Sequence, residues 1–166
     1  MDDTTGSVFQ NMPKLSAGLL MYRHKNGALE VFLVHPGGPF WARKDTGAWS
    51  IPKGEYAEGE PPLEAAKREF HEETGFEPAG NFVELGTAMQ GSGKLVSAWA
   101  VEGDCDPTKL ASNTCSIEWP PRSGRTMDIP EVDRGDWFGI EAAREKILKG
   151  QVTFLDLLIQ RVSHGN

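Results

Sequence analysis

The stretch from Gly54 to Phe76, GEYAEGEPPLEAAKREFHEETGF, constrains the fold more than any other part of this chain. Pro61 and Pro62 suit the start of a helix, where a missing N–H leaves no intrahelical bond unmade. Gly75 suits the left-handed position that ends one. Between them Leu63, Ala66 and Phe70 form a narrow apolar stripe. The sequence therefore predicts an amphipathic helix from Pro62 to Thr74 that docks on a core by one face. At about 100° per residue, Glu69, Glu72 and Glu73 share the neighbouring face. Ala65 lies one turn before Glu69 and is too small to block that face, while Glu64, Lys67 and His71 point to solvent. Carboxylates at i, i+3 and i+4 repel one another, and more so when partly buried. A solvated acidic face relieved by Lys67 and Arg68 is one way to offset this. The other is a divalent cation: oxygen donors without a cysteine or histidine cluster suit Mg²⁺ or Mn²⁺ better than zinc.

The rest of the chain supplies a sheet for that helix. Leu19–Tyr22 and Leu29–Val34 flank Asn26-Gly27, the signature of a tight hairpin turn. Further strands are expected near Trp49–Ile51, Asn81–Met89, Leu95–Glu102 and Cys115–Trp119. Two amphipathic helices, about Ile140–Lys149 and Thr153–Val162, close the chain. Gly103–Gly135, with four prolines, reads as otherwise turn-rich. Hairpins mixed with three helices give an α+β layer architecture. At 166 residues the chain suits one domain, 12–166, after a loose tail over 1–11.

Composition excludes some roles. Net charge is −7 and the pI about 5.1, which disfavours broad nucleic-acid or anionic-membrane binding. The acidic, polar start is unlike a secretory signal, and no apolar run of about 18 residues exists. Cys105 and Cys115, ten apart, are expected as reduced thiols of a cytoplasmic protein rather than as a disulfide.

Spacing adds more. Gly54, Glu60, Arg68, Glu69, Phe70, Glu72, Glu73, Gly75 and Phe76 satisfy every position of G-x5-E-x7-R-E-U-x-E-E-x-G-U, U being bulky and apolar. This is the Nudix box, and the chain resembles the Nudix hydrolases. The resemblance implies an α/β/α sandwich with a mixed sheet, and hydrolysis of a nucleoside diphosphate linked to another moiety. It implies that Glu69, Glu72 and Glu73 bind Mg²⁺ and that Arg68 neutralises and orients them. Glu60 would pair with Arg68 or support the outer metal shell, and Gly54 and Gly75 would allow the chain turns.

Pro52-Lys53-Gly54 resembles the diadenosine tetraphosphate hydrolases, whereas MutT-type members tend to have Pro-Gly-Gly. Lys53 would then lie beside phosphates, with Arg43 and Lys44 as further candidates. Trp41, in a glycine-rich loop, is the first candidate to stack a base, ahead of Phe40 and Trp49. His35 ends a strand and suits a structural role equally well. Glu131, six residues before Trp137, matches a carboxylate that assists the metal or acts as base in many family members; Glu72 is the rival base. Arg122 and Arg125, in the unusual EWPPRSGR segment, could meet a terminal phosphate. The expected enzyme is a Mg²⁺-dependent pyrophosphohydrolase of a small-molecule nucleotide, a dinucleoside polyphosphate or nucleoside triphosphate. Alternatives are removal of pyrophosphate from RNA 5′ ends, a non-catalytic ligand sensor, which should have lost box carboxylates, and an isoprenoid isomerase.

Overall fold

A computed structural model describes residues 14–91 and 93–164. The tail expected over 1–11 lies outside them. Strands β1 (Lys14–Lys25) and β2 (Ala28–Pro36) form the hairpin, with Asn26 at φ 54° and Gly27 at φ 79° between them. Then come β3 (Lys53–Glu55), helix α1 (Pro62–Thr74), β4 (Phe82–Met89) and β5 (Lys94–Glu102). Strands β6 (Thr114–Glu118) and β7 (Thr126–Pro130) pair only with each other; β8 (Val132–Gly139), α2 (Ile140–Lys146) and α3 (Val152–His164) finish the described chain.

The main sheet runs β4-β5-β1-β2-β8, with β3 also on β1. β1 and β5 are parallel and the other pairs antiparallel, so the sheet is mixed. Alternation along the strands sends side chains to two faces. Ala17, Leu19, Met21, Phe32 and Val34 pack with Ala66 and Phe70 of α1. Leu20, Val31 and Leu33 pack on the other face with Ala143, Phe154 and Leu158 of the C-terminal helices. The result is the expected α/β/α sandwich. No described helix is long and apolar enough to cross a membrane.

One irregularity positions the site. β1 keeps β5 on one edge from Lys14 to Tyr22, but on the other edge it pairs with β2 only from Tyr22 to Lys25 and with β3 at Ser16–Gly18. Between these pairings β2 leaves β1, and the segment before β3 fills the wedge: Leu19 N–H donates to the Pro52 carbonyl at 3.1 Å, and Val34 N–H to that of Ser50 at 2.9 Å. The approach is so close that a Cβ on Gly18 would lie 2.6 Å from the Pro52 oxygen.

Several boundaries differ from the sequence reading. Trp49–Ile51 forms only single bridges, Val34 with Ser50 and Trp49 with Ile147, and the strand is Lys53–Glu55 instead. The turn-rich region ends in two unforeseen strands, β7 and β8. The polar run Asp133–Asp136 hides β8, whose Gly135 is required because a Cβ there would lie 2.5 Å from Phe32 Cζ. The helix expected to reach Lys149 stops at Lys146, and a 3₁₀ turn, Lys149–Gln151, leads into α3. Cys105 and Cys115 are free.

Candidate active site

Helix α1 starts after Pro61 and ends at Gly75, at φ 81°, whose N–H donates to the His71 carbonyl at 2.7 Å. Its sheet-facing side is wider than the apolar stripe predicted, because Ala65, expected to border an open face, is fully buried. Glu69 and Glu73, one turn apart, are only 7% exposed and lie against β3. The Lys53 N–H donates to Glu73 Oε1 at 3.3 Å.

Gly54 explains how Glu69 fits. A Cβ at this position would lie 2.1 Å from the Glu69 carboxylate. Gly54 is therefore not a turn glycine, as the sequence reading had it: it sits in an extended strand and vacates the space that a carboxylate fills. Gly75 does serve a turn.

Glu131 arrives from the bend between β7 and β8. Its N–H donates to the Asn113 carbonyl and its own carbonyl accepts from Gly37 N–H, both at 3.0 Å. One carboxylate oxygen each of Glu69, Glu73 and Glu131 lies within 4.8 Å of the others. Burial raises the pKa of all three, that of Glu73 well above the ordinary value; Glu131 and Glu69 add to the rise at Glu73, and Lys53 opposes it. Burial first, then Lys94, lowers the pKa of Lys53. Three converging carboxylates, hard oxygen donors in a space cleared by a glycine, suit a divalent cation of the Mg²⁺ class.

Glu72 is not part of this trio. It points about 100° around the helix from Glu73, and its carboxylate accepts from Arg68 Nη1 at 3.3 Å at the rim. Arg68 also grips Glu60 with two bonds, of 3.0 and 3.1 Å, and donates to Glu69 at 2.8 Å. Those bonds raise the Arg68 pKa, so the guanidinium stays charged. Glu60 thus pairs with Arg68, the first of its two expected roles.

The trio opens into a larger space. A recess of about 150 Å³, lined by Glu73, Glu131, Ser50 and Lys53, shares Lys53 and Ser50 with a cleft of about 910 Å³. Trp41, Lys94, Arg144 and Lys149 line that cleft. Lys53 lines both the recess and the cleft, and Trp41 borders the cleft. Arg43 and Lys44 do not line it. The Lys44 ammonium sits 3.7 Å from the centroid of the Phe40 ring instead, a cation–π contact at the loop surface. Trp49 is buried core, and His35 is buried with both ring nitrogens engaged. Arg122 and Arg125 lie in the exposed β6–β7 connection.

Sequence reasoning missed the cleft's other cations, Lys94, Arg144 and Lys149, because they come from three separate elements and form no motif. It also missed Gln151. This buried side chain accepts from Ile51 N–H at 3.0 Å and donates to Ser50 Oγ at 3.0 Å and Gln90 Oε1 at 2.8 Å, tying the cleft floor together.

Comparison with known proteins places this arrangement. A family model described as NUDIX domain matches residues 12–158. An RNA pyrophosphohydrolase of Brucella anthropi is 33% identical, over 55% of this chain and 56% of that protein. The match thus takes in about half the length of that curated relative. Among solved structures, the C. elegans Ap4A hydrolase binary complex superposes with a TM-score of 0.65 at 20% identity, covering 90% of this chain and 98% of that one. The NUDIX domain of Shewanella oneidensis NrtR, complexed with ADP ribose, gives 0.63 at 15% identity, covering 98% and 99%. At these identities the structures speak for the fold alone.

Proposed function

Because this chain belongs to the Nudix family, we propose that it is a divalent-cation-dependent pyrophosphohydrolase, splitting a phosphoanhydride bond in a dinucleoside polyphosphate or nucleoside triphosphate. The observation that carries this reading is the trio of Glu69, Glu73 and Glu131, of which Glu73 and Glu131 line a recess that meets, at Lys53, a cleft bordered by Lys94, Arg144 and Lys149. Cations along the cleft match a run of phosphates, and carboxylates at its end match the metal that such phosphates require.

Glu69, Glu73 and Glu131 would hold Mg²⁺ or Mn²⁺. When bound, the ion supplies charge neutralisation at phosphate oxygens and eases ionisation of a water. The chain's own groups do the rest. Lys53 presents its ammonium to a phosphate oxygen where recess meets cleft. Arg68 holds Glu69 and Glu72 in fixed rotamers through a fork that Glu60 anchors. Trp41 offers a ring edge or face to a nucleobase at the cleft wall. Glu131, the member of the trio outside the helix, would accept the proton of the attacking water. Glu72 is the rival base, and its bond to Arg68 holds it at the rim.

Glu131→Gln keeps shape and removes charge. It is expected to lower kcat by about 10²-fold, the scale of general acid–base catalysis, with the metal-free Tm unchanged or slightly raised, since burial and then Glu72 disfavour the ionised carboxylate. A fall in Tm with kcat preserved would assign Glu131 to loop structure and leave Glu72 as base.

Metal binding has a thermodynamic signature that needs no substrate. The folded-state pKa values of Glu69, Glu73 and Glu131 are raised above those of exposed carboxyls. Their contribution to stability is full below the unfolded pKa and is lost as pH rises through the folded values. The metal-free protein should thus lose stability from this trio as pH climbs from about 4 towards neutrality, and Mg²⁺ should restore it. A thermal-shift series is expected to show a larger Mg²⁺-induced rise in Tm at pH ~8 than at pH ~5. Equal shifts at both values would contradict a carboxylate-held ion.

Substrate length is tested by kcat/KM for diadenosine tetraphosphate, ATP, ADP-ribose and a 5′-triphosphorylated RNA, each with Mg²⁺. Long phosphate chains are expected to lead. A wide preference for ADP-ribose would overturn the assignment of the cationic cleft. The RNA arm addresses a second reading, favoured by the Brucella anthropi relative and opposed by the net charge of −7.

A further inference from the structure

Gln151 is fully buried at the cleft floor, and each end of its amide has one possible assignment. The Ile51 N–H, 3.0 Å away, can only donate, so it meets the Gln151 oxygen. Nε2 then faces Ser50 Oγ at 3.0 Å and the side chain of Gln90 at 2.8 Å, and Nε2 can only donate. Ser50 accepts, because its own proton goes to the Ile51 carbonyl at 2.7 Å. Gln90 must accept as well, so its oxygen turns inward and its Nε2 turns away from the buried network. A reversed Gln90 would set donor against donor beside a side chain that water does not reach.

We propose that Gln90 is a specificity-determining residue whose amide, held oxygen-inward by Gln151, offers its Nε2 hydrogens to a phosphate oxygen of the substrate in the cleft. Gln90 is half-buried and lines that cleft, and among the described residues no acceptor takes those hydrogens. Its surroundings select an anion. Gln90 N–H donates to the Lys94 carbonyl at 2.8 Å, continuing the β4–β5 register, so the two side chains are cross-strand neighbours on one face. Lys94 also pairs with Glu55 at 3.1 Å. Gly150, next to Lys149, lies so close that a Cβ there would be 3.1 Å from Gln90 Cα. A neutral donor flanked by two lysines of the cleft suits a charged acceptor better than an uncharged base carbonyl. Gln90 lines the cleft but not the recess of Glu73 and Glu131, so the phosphate it meets lies beyond those beside the carboxylates.

The substrate part of this inference rests on the nucleotide reading above, and the amide orientation does not. The first experiment follows the Gln90 side-chain amide by ¹H–¹⁵N NMR in the metal-free protein. Inorganic tripolyphosphate is expected to shift the Nε2 signals, and adenosine or guanosine to leave them in place. Shifts with a nucleoside alone, or with neither probe, would overturn the phosphate contact. The second uses Gln90→Glu, which keeps an oxygen for Gln151 and replaces the outward donor by a second oxygen. KM for diadenosine tetraphosphate should rise about 10²-fold while kcat stays within about threefold, and Tm should hold. KM for ADP-ribose, with only two phosphates, should rise less.

Gln90→Asn separates contact from charge, because it adds none and is one methylene too short to reach Gln151 and substrate together. Its KM for diadenosine tetraphosphate should rise about tenfold. A wild-type KM in Gln90→Asn would leave only a field effect in Gln90→Glu and overturn the contact. Gln151→Met tests the positioning role of Gln151 without altering the charge of the cleft. The tripolyphosphate-induced shift at Gln90 should shrink and KM should rise; an undiminished shift with unchanged KM overturns that role. Should Gln151→Met fail to fold, Gln151→Glu, ionised at pH ~8, presents oxygens only. Gln90 must then turn its Nε2 inward and lose the tripolyphosphate shift, and a retained shift overturns the lock. A wild-type protein that hydrolyses no nucleotide yet shows the shift would sink the functional reading and keep the phosphate contact.

Discussion

Glu73→Gln should reduce kcat by about 10³-fold or more, roughly 4 kcal/mol of barrier, and at the same time raise the Tm of the metal-free protein. The two effects share one cause. Glu73 is 7% exposed, and its ionised form is disfavoured first by burial and then by Glu131 and Glu69. A neutral amide removes that penalty, so the apo fold gains stability, while the ion loses a carboxylate and the stabilisation by Mg²⁺ shrinks. Paired measurements of kcat and of Tm with and without Mg²⁺ would check this. A lower metal-free Tm with kcat intact would show that Glu73 serves packing through its bond from Lys53 N–H. Glu72→Gln makes a useful contrast. Its carboxylate is 39% exposed and sits on Arg68, so a smaller change in the Mg²⁺-induced Tm shift is expected than for Glu73→Gln.

Gly54→Ala is expected to be nearly as damaging, without touching a charged group. The new methyl carbon would lie 2.1 Å from the Glu69 carboxylate, well inside contact distance. Either Glu69 leaves its rotamer, which breaks the trio and the bond from Arg68, or β3 moves off β1, which breaks the pairing Ala17–Gly54. Overpacking of this kind typically costs about 1–3 kcal/mol of stability. Loss of the Glu69 position should add a fall in kcat of at least about 10²-fold. Circular dichroism melting together with Mg²⁺ titration would test it. A Gly54→Ala protein that binds Mg²⁺ with wild-type affinity would refute the account of this glycine as space for a carboxylate. By contrast, Gly75→Ala should act through the backbone, since φ is +81° there, and lower Tm with less effect on metal affinity.

Helix α1 was legible from the sequence because every signal that defines it is local. Pro61-Pro62 at one end, Gly75 at the other and the Leu63–Ala66–Phe70 stripe between them act within a few residues, and the observed Pro62–Thr74 matches. The β1–β2 hairpin was equally readable, since Asn26-Gly27 supplies its own turn geometry. Family and α/β/α architecture followed from the spacing of nine residues in the box. Strand β8 was not readable: Asp133, Arg134 and Asp136 look like a loop until Phe32, distant in sequence, fills the space above Gly135.

The site divides along the same line. Spacing on one helix brought Glu69 and Glu73 together, because a helix fixes the separation of residues four apart. It could not exclude Glu72, whose place is decided by Arg68 and Glu60 at the rim, nor place Glu131 beside them, because that approach depends on how β8 pairs with β2. Lys94, Arg144 and Lys149 meet in one cleft only after β5, α2 and the following 3₁₀ turn have packed around the wedge between β1 and β2. Gly54 and His35 show the difference most sharply. The sequence marked both residues, but with the wrong reason for the first and only a general structural role for the second, since the surroundings of each are set by a group far along the chain: the carboxylate of Glu69 for Gly54, and the side chain of Asp133 for His35. Local periodicity determined which elements form; the long-range packing of those elements decided which charges meet.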